Sequence, residues 1–397
     1  MTEVLPWEEG RALLLREAAP LPPLKVPLRE AAGRVLAEEI VSGAPFPPFA
    51  RSLVDGYALG PAAAGYRLVG EVPAGSRYPG SLAAGEAVRI FTGAPVPPGT
   101  VTVLPQEVVE LREDGRLEIP ASPVGLPPRG CLQVAGSEVR AGEKVLTPGT
   151  VLGPAEIGLL SALGREEVWV HPEPRVALAA VGTELKELVD RTDREGLVAS
   201  NLYALEAAFR LAGVEVHTLP VLPDRMPALM GALEPWLDKA DLVITTGGAG
   251  GGDYDLAARS FRGLGARLLF TRLNYRPGGG VIGARRGQTL LLGLPGTPSA
   301  ALAGFYLLAR PVVEALGGKP PGPRRCRGKL EGPVVRERRT RTFIFAEAQN
   351  DGGLWRAAPV NEGRGPLLAA LGANALLDVP PGKEPIPAGT EVDLILL

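Results

Sequence analysis

DLVITTGGAGGGDYDL, residues 241–256, places three local signals end to end. Leu242, Val243 and Ile244 are a short continuous apolar run, the pattern of a strand buried on both faces of a parallel sheet. Thr245 and Thr246 close it. Glycines follow at 247, 248, 250, 251 and 252; they open positive φ to the backbone and admit a ligand close to it. Asp253 and Asp255 then precede LAARSFRGL, whose apolar spacing is helical, and an Asp at that point can cap the helix. A strand, a glycine turn and a helix N-terminus make an anion site. The aspartates complicate this, because carboxylates repel phosphate unless a metal bridges them, and Mg²⁺ is held by one or two carboxylates plus phosphate oxygens. One reading of the stretch is therefore a phosphate–Mg²⁺ site. The other is a glycine-rich turn with an Asp cap and no ligand. The stretch is neither a Walker A loop, lacking Gly-Lys-Ser/Thr, nor a GxGxxG fingerprint.

The chain around it has 397 residues, 45% of them apolar, which suits several domains with cores of their own. A net charge of −2 gives no sign of a nucleic-acid or anionic-membrane partner. Cys131 and Cys326 are far apart and match no metal or redox spacing, so a reducing, cytoplasmic setting is expected. No apolar run reaches membrane-span length, and the acidic start MTEVLPWEEG is unlike a signal peptide.

Along the chain, WEEGRALLLREA and LREAAGRVLAEEI within residues 1–42 both carry helical spacing, with Pro20, Pro22 and Pro23 between them. APFPPFARSLVDGYAL leads through an Asp55-Gly56 turn into a β-rich stretch over 60–118. There Thr92-Gly93-Ala94-Pro95 interrupts a strand, either as a ligand contact or as an ordinary turn. IPASPVGLPPRG reads as a linker, and 142–164 as a strand and a helix. From Arg175 the pattern becomes regular β/α alternation. VALAAVG is a strand ending at Gly182-Thr183-Glu184. Ser200 and Asn201 are placed to cap LYALEAAFRLAG, and VEVHTLPVL closes near Asp224. MPALMGALEPWL is a helix broken at Pro235, and LGARLLFTRL a further strand. TLLLGLPGTPSAALAGFYLLARPVVEALGG gives a strand, a Pro-Gly-Thr-Pro loop and a long helix capped by Ser299. Ligands of open α/β sheets bind beyond the C-terminal strand ends, so loops 182–184, 247–255 and 295–299 are expected to converge. Residues 326–397 hold short β-like runs, a small barrel or sandwich.

Taken together, VDGYA (54–58), RIFTGAPVPPGT (89–100), VGTEL (181–185), SNLYAL (200–205), LVITTGGAGGGDYD (242–255), RPGGG (276–280), LPGTPSAA (294–301) and GANAL (372–376) resemble the MoeA family, molybdopterin molybdenumtransferases related to the C-terminal part of gephyrin. The resemblance covers nearly the whole chain. It implies a multidomain α+β and α/β fold: a helical linker region (1–43 plus 131–170), a β-rich insertion domain (44–130), a central MoaB/MogA-like three-layer α/β domain that binds molybdopterin (171–318) and a C-terminal β-barrel (319–397). It implies a Mg²⁺-dependent enzyme that inserts molybdate into adenylylated molybdopterin and releases AMP. The expected assembly is a homodimer sharing its site between subunits, with the molybdopterin adenylyltransferase as a partner.

Carried over by position, the family's catalytic residues fall on Asp55, Thr92, Glu184, Asp224 and Asp255. Glu184 and Asp255 are the expected metal ligands, Thr92 donates a hydroxyl to an anion, and Asp55 acts across the dimer. The binding residues fall on Gly93, Gly182, Thr183, Gly247, Gly248, Gly250, Asp253, Arg276, Pro295, Gly296, Thr297, Pro298 and Arg364. Each acid has a plainer reading: Asp255 a helix cap, Glu184 a solvated acid, Asp55 a turn residue. The chain also departs from the family pattern. Val181 and Thr183 stand in its Ser/Thr-Gly-Asp-Glu-Leu, Gly250 replaces a serine, Gly279 a lysine, and Thr297 an asparagine, while Arg364-Gly365 stands for Ser-Gly. Losing a lysine that faces an anion removes a charge-assisted bond worth roughly 1.5–3 kcal/mol; Arg276 keeps one positive charge and Arg364 is placed to supply the other. An alternative is a diverged paralogue that binds or carries molybdopterin without turnover, and a third reading is a scaffold. His171 and His217 are read as non-catalytic.

Overall fold

The computed structural model describes residues 4–119, 129–188, 196–248, 255–320, 322, 324–361 and 363–397. The chain divides into two compact units. One is built from residues 1–26, 33–37 and 169–397, the other from 27–32 and 38–168.

The second unit centres on a six-stranded sheet. Its main strands are β1 (Gly56–Leu59), β2 (Tyr66–Val72), β3 (Glu86–Ile90) and β4 (Thr102–Pro105). β1 pairs antiparallel with both β3 and β4, and β2 runs parallel to β3. Ala58, Val72, Val88, Ile90 and Val103 form a core on one face, and Tyr57, Leu59, Ala87 and Leu104 on the other. Helix α2 (Pro154–Ala162) follows the strand Lys144–Leu146 in the region expected to hold a strand and a helix.

The first unit begins with α1 (Trp7–Glu17), where the first helical spacing places it. The second expected helix, LREAAGRVLAEEI, does not form. Only Leu28–Glu30 makes a 3-10 turn, and the chain goes on as short strands at Val35–Leu36 and Ile40–Val41. Gly33 takes φ +80, a conformation that ends a helix, and fully buried Val35 and Leu36 pair with His171 and Val170 instead.

The α/β part is a sheet in the order β6-β5-β7-β10-β9-β8, built from β5 (Arg175–Ala180), β6 (Glu215–Thr218), β7 (Leu242–Thr246), β8 (Arg267–Phe270), β9 (Ile282–Arg286) and β10 (Thr289–Leu294). β6, β5, β7 and β10 are parallel, while β9 and β8 add an antiparallel edge that uniform alternation does not anticipate. LGARLLFTRL is two strands, because after β8 the segment Leu273–Arg276 leaves this sheet to pair with the C-terminal barrel. The faces of the sheet alternate residue by residue. Leu178, Leu242, Ile244 and Leu292 pack with α1, α3 (Ser200–Leu211) and the long C-terminal helix. Ala177, Ala179, Val243 and Leu291 pack with α4 (Met226–Leu233) and α5 (Leu256–Gly263). The result is three layers, helix–sheet–helix.

The long helix runs as α6 (Pro298–Gly304), a π turn over Phe305–Ala309, and α7 (Arg310–Leu316). It starts at Pro298 with Thr297 as N-cap and no side-chain capping bond, so Ser299 does not cap it; proline is favoured at that first helical position. Its length and apolarity would suffice to cross a membrane, yet 78% of its most apolar window is buried, and it is a core helix of this unit.

The C-terminal part is a closed barrel of β11 (Arg324–Leu330), β12 (Arg341–Asp351), β13 (Leu354–Pro359), β14 (Ala375–Val379) and β15 (Glu391–Leu396), with β12 pairing back onto β14 to complete it. Its Phe343, Phe345, Leu376 and Ile395 belong to the same core as α1 and the sheet.

Candidate functional site

β5, β7 and β10 end together: Ala180 lies beside Thr246, and Thr246 beside Leu294. The three loops expected to converge therefore leave the sheet from one line, at the end where α/β folds bind ligands. Their described residues line a cleft of about 680 Å³. Backbone at Gly182, Gly247, Gly248 and Gly296 forms its floor, and the start of α3 at Ala199–Asn201 forms one side.

The loops are tied tightly. Val181 N–H donates to Thr246 O at 2.9 Å, and Gly182 N–H to Leu222 O at 2.9 Å. Thr183 and Asp224 then lock on each other. The Thr183 N–H donates to Asp224 Oδ2 at 2.8 Å and its hydroxyl to the same oxygen at 3.2 Å, while the Asp224 N–H donates to Thr183 Oγ1 at 3.2 Å. Gly247 takes φ +86, and a Cβ there would meet Val181 O at 2.1 Å, so only glycine fits without moving the loop. Asn201, predicted only to cap α3, does something else. Its Nδ2 donates to Thr246 Oγ1 at 3.0 Å and to Gly296 O at 2.8 Å, and Thr246 Oγ1 donates to Pro295 O at 3.0 Å. Helix α3 begins at Ser200 without a side-chain cap.

Of the predicted acids, the cleft brings together Glu184 and Asp224, both exposed. No Lys, Arg or His joins them among the described lining residues. Asp255 is only 5% exposed, and its Oδ1 accepts from Ala257 N–H at 3.0 Å and Ala258 N–H at 3.2 Å, which makes it the N-cap of α5. Gly250 and Asp253 lie outside the described residues. Among the described residues no group of three or more His, Cys, Asp or Glu is gathered to cage a metal. Two exposed carboxylates do suit Mg²⁺, which keeps much of its shell for water and phosphate oxygens.

The basic residues sit further out. Arg276 ends the strand Leu273–Arg276, and its exposed guanidinium pairs with Glu337 at 3.0 Å. The loop after it does reach the site's third loop, since a Cβ on Gly278 would lie 2.8 Å from Ala300 Cβ and 3.1 Å from Pro295 Cγ. Pro295 is buried, Gly296 and Thr297 are exposed, and Pro298 lines the cleft. Arg364 is exposed in a turn and has no ion-pair partner among the described residues; three residues on, Leu367, 68% exposed, lines the cleft.

Asp55, Thr92 and Gly93 belong to the other unit, where the first two meet across the sheet's loops. Asp55 Oδ1 accepts from both the N–H and the hydroxyl of Thr92, each at 2.8 Å. The backbone bond first, then the hydroxyl bond, with the Arg89 charge adding, hold the Asp55 carboxyl below the ordinary carboxylate range. The Thr92 hydroxyl, expected to donate to an anion, here donates to Asp55, because a carboxylate across the turn is the strongest acceptor in reach. Gly93 N–H donates to Ser52 O at 2.8 Å.

Sequence comparison agrees with this geometry. Residues 177–315 match the description "Probable molybdopterin binding domain", 5–164 "MoeA N-terminal region (domain I and II)", and 327–397 "MoeA C-terminal region (domain IV)". Molybdopterin molybdenumtransferase 1 of Mycobacterium tuberculosis is 31% identical over 426 aligned positions, covering 98% of both chains. The chain belongs to the MoeA family. A Nostoc molybdopterin molybdenumtransferase is 31% identical, over 94% of this chain and 88% of that one. The crystal structure of a molybdopterin biosynthesis MoeA protein from Pyrococcus horikoshii superposes with a TM-score of 0.82 at 28% identity, covering 99% of both chains. In this MoeA family member Asn201, Thr246 and Leu367 also line the cleft, and sequence reasoning did not name them as binding residues. Asn201 looks like a cap in sequence, Thr246 like a strand end, and Leu367 like a barrel residue.

Proposed function

We infer that this MoeA family member acts in molybdenum cofactor biosynthesis in the cytoplasm, inserting molybdate into adenylylated molybdopterin with release of AMP in a Mg²⁺-dependent reaction. The observation that carries the reading is the cleft itself. Three in-register strand ends place glycine backbone and the start of α3 around two exposed carboxylates, Glu184 and Asp224. Helix N-termini attract anions, yet two unneutralised carboxylates repel them. A divalent cation bound by Glu184 and Asp224 reconciles the two, and a pyrophosphate-bearing ligand fits that combination. Bound there, Mg²⁺ would neutralise phosphate charge and polarise the bond to AMP.

The chain's own residues do the rest. Thr183 holds Asp224 in place, and Glu184 lines the same cleft. The glycines let the pyrophosphate approach the backbone, and Leu185, Val198 and Leu367 give the cleft apolar surface for the uncharged part of the ligand. No protein nucleophile is required, because the acceptor sulfurs belong to the substrate. Positioning and charge compensation supply the rate. Asp255 caps α5 and is a further candidate carboxylate. By the family resemblance, a homodimer would bring the Asp55–Thr92 pair of one subunit to the cleft of the other, and the molybdopterin adenylyltransferase would hand over the substrate.

The test is AMP release from adenylylated molybdopterin with Mg²⁺ and molybdate. Wild-type release that needs molybdate, reduced on the order of 10–100-fold or more in Glu184→Ala and Asp224→Asn, supports the transferase. Binding without release would favour the carrier reading, for which the engagement of Arg276 by Glu337 is the specific observation.

A further inference from the structure

We propose that Asn201 is a ligand-reading residue of this cleft, presenting its side-chain oxygen to an N–H group on the heterocyclic part of the ligand. The proposal rests on the reading of the cleft given above. The amide orientation follows from its partners. Gly296 O can only accept, so Nδ2 must face it. Thr246 Oγ1 receives the second Nδ2 hydrogen and is thereby committed to donate its own proton to Pro295 O. Both amide hydrogens are used, and Oδ1 remains. Among the described residues nothing donates to it, although Asn201 is only 9% exposed and lines the cleft. Oδ1 is not shut off from solvent, and its open side is the cleft. The same side chain thus ties the 295–296 loop and the end of β7 to α3 with its nitrogen, and offers the ligand a fixed acceptor with its oxygen. Its two Nδ2 bonds hold the amide so that Oδ1 is presented at a fixed point.

Two substitutions separate reading from wall-building. Asn201→Ala removes the acceptor and the ties. Thr246→Val, at a position 2% exposed, breaks the relay and leaves Oδ1 in place. Adenylylated molybdopterin, molybdopterin alone and AMP alone are the probes. Asn201→Ala is expected to weaken binding of adenylylated molybdopterin about tenfold, the worth of one hydrogen bond to a buried partner. Turnover at saturation should change less than about threefold, and Thr246→Val, which removes one tie and keeps Oδ1, should weaken binding less than Asn201→Ala does. If the loss appears with molybdopterin alone the donor is on the pterin; if with AMP alone, on the adenine. Equal weakening by both substitutions, or none by Asn201→Ala, overturns the proposal. Should Asn201→Ala not fold, the side-chain amide resonances of Asn201 in ¹⁵N-labelled wild-type protein decide: they move on ligand saturation, and unmoved resonances overturn it. Wild-type protein that binds no probe at all refutes the functional reading itself, which the variant comparison alone does not touch.

Discussion

At the scale of single residues, the site is made of positions that admit one side chain for a stated reason. Gly247 is the sharpest case. An alanine there would have to hold φ near +86 with its Cβ 2.1 Å from Val181 O. The left-handed conformation alone costs about 1–2 kcal/mol, and relieving the clash moves the loop. Gly247→Ala is therefore expected to lower the melting temperature by several degrees and to abolish tight ligand binding, checked by calorimetry and titration. Asp55 offers a pH test. Its folded-state pKa is depressed below the ordinary 3.8 by the two Thr92 donors. Its hold on the 91–94 turn is thus complete above that value and is lost as the pH falls through the lower folded-state value. The Thr92 amide resonance should titrate with a midpoint below 3.8, and with no such transition in Asp55→Asn. Thr183 shows how a family position can change partners: a threonine there supplies a donor and an acceptor to Asp224 at once, which a carboxylate at 183 could not.

At the scale of elements, the strands of the α/β part were legible because they are short apolar runs bounded by glycines, and their shared C-terminal edge followed from the parallel pattern. What was not legible has local causes. LREAAGRVLAEEI has helical spacing, yet Gly33 at φ +80 and the pairing of Val35 and Leu36 with Val170 and His171 outweigh it. Asn201, read as a cap, instead ties Thr246 and Gly296. Asp255 carries two readings, cap and metal ligand, and the structure shows the cap of α5; sequence does not separate the two because cap and ligand chemistry use the same side-chain oxygens. Helix α5 therefore carries its own test. Asp255→Ala should cost about 1 kcal/mol through loss of the cap, while Asp255→Asn, an equally good cap, should keep the melting temperature. If Asp255→Asn also keeps full AMP release, the side chain serves α5 alone; if release collapses with stability intact, its charge acts on the ligand.

At the scale of the whole molecule, the barrel and the first helix meet over an ion network. Asp378, whose side chain is fully buried, accepts from Arg341, with Arg325 Nη1 at 3.4 Å, while Arg341 also bonds Glu8. Both guanidiniums lie over the Trp7 ring, 5.5 and 5.7 Å from its centre. Asp378→Ala removes the one fully buried charge and leaves Arg341, still paired with Glu8, and the half-exposed Arg325, so it is expected to cost about 1–3 kcal/mol for the lost charged hydrogen bonds, read from urea unfolding. Trp7 also packs on Phe343, with ring centres 5.0 Å apart, and Glu8 meets Arg341 across 333 residues of sequence. That distance has a consequence during synthesis. As the nascent chain leaves the ribosome, α1 emerges well before the barrel, and the Trp7 ring has neither Phe343 nor Arg341 to pack on until the barrel has been translated. At about 5–20 residues per second, Trp7 waits roughly twenty seconds to a minute, a window in which chaperone occupancy of the α1 segment should peak and then vanish once the barrel has docked.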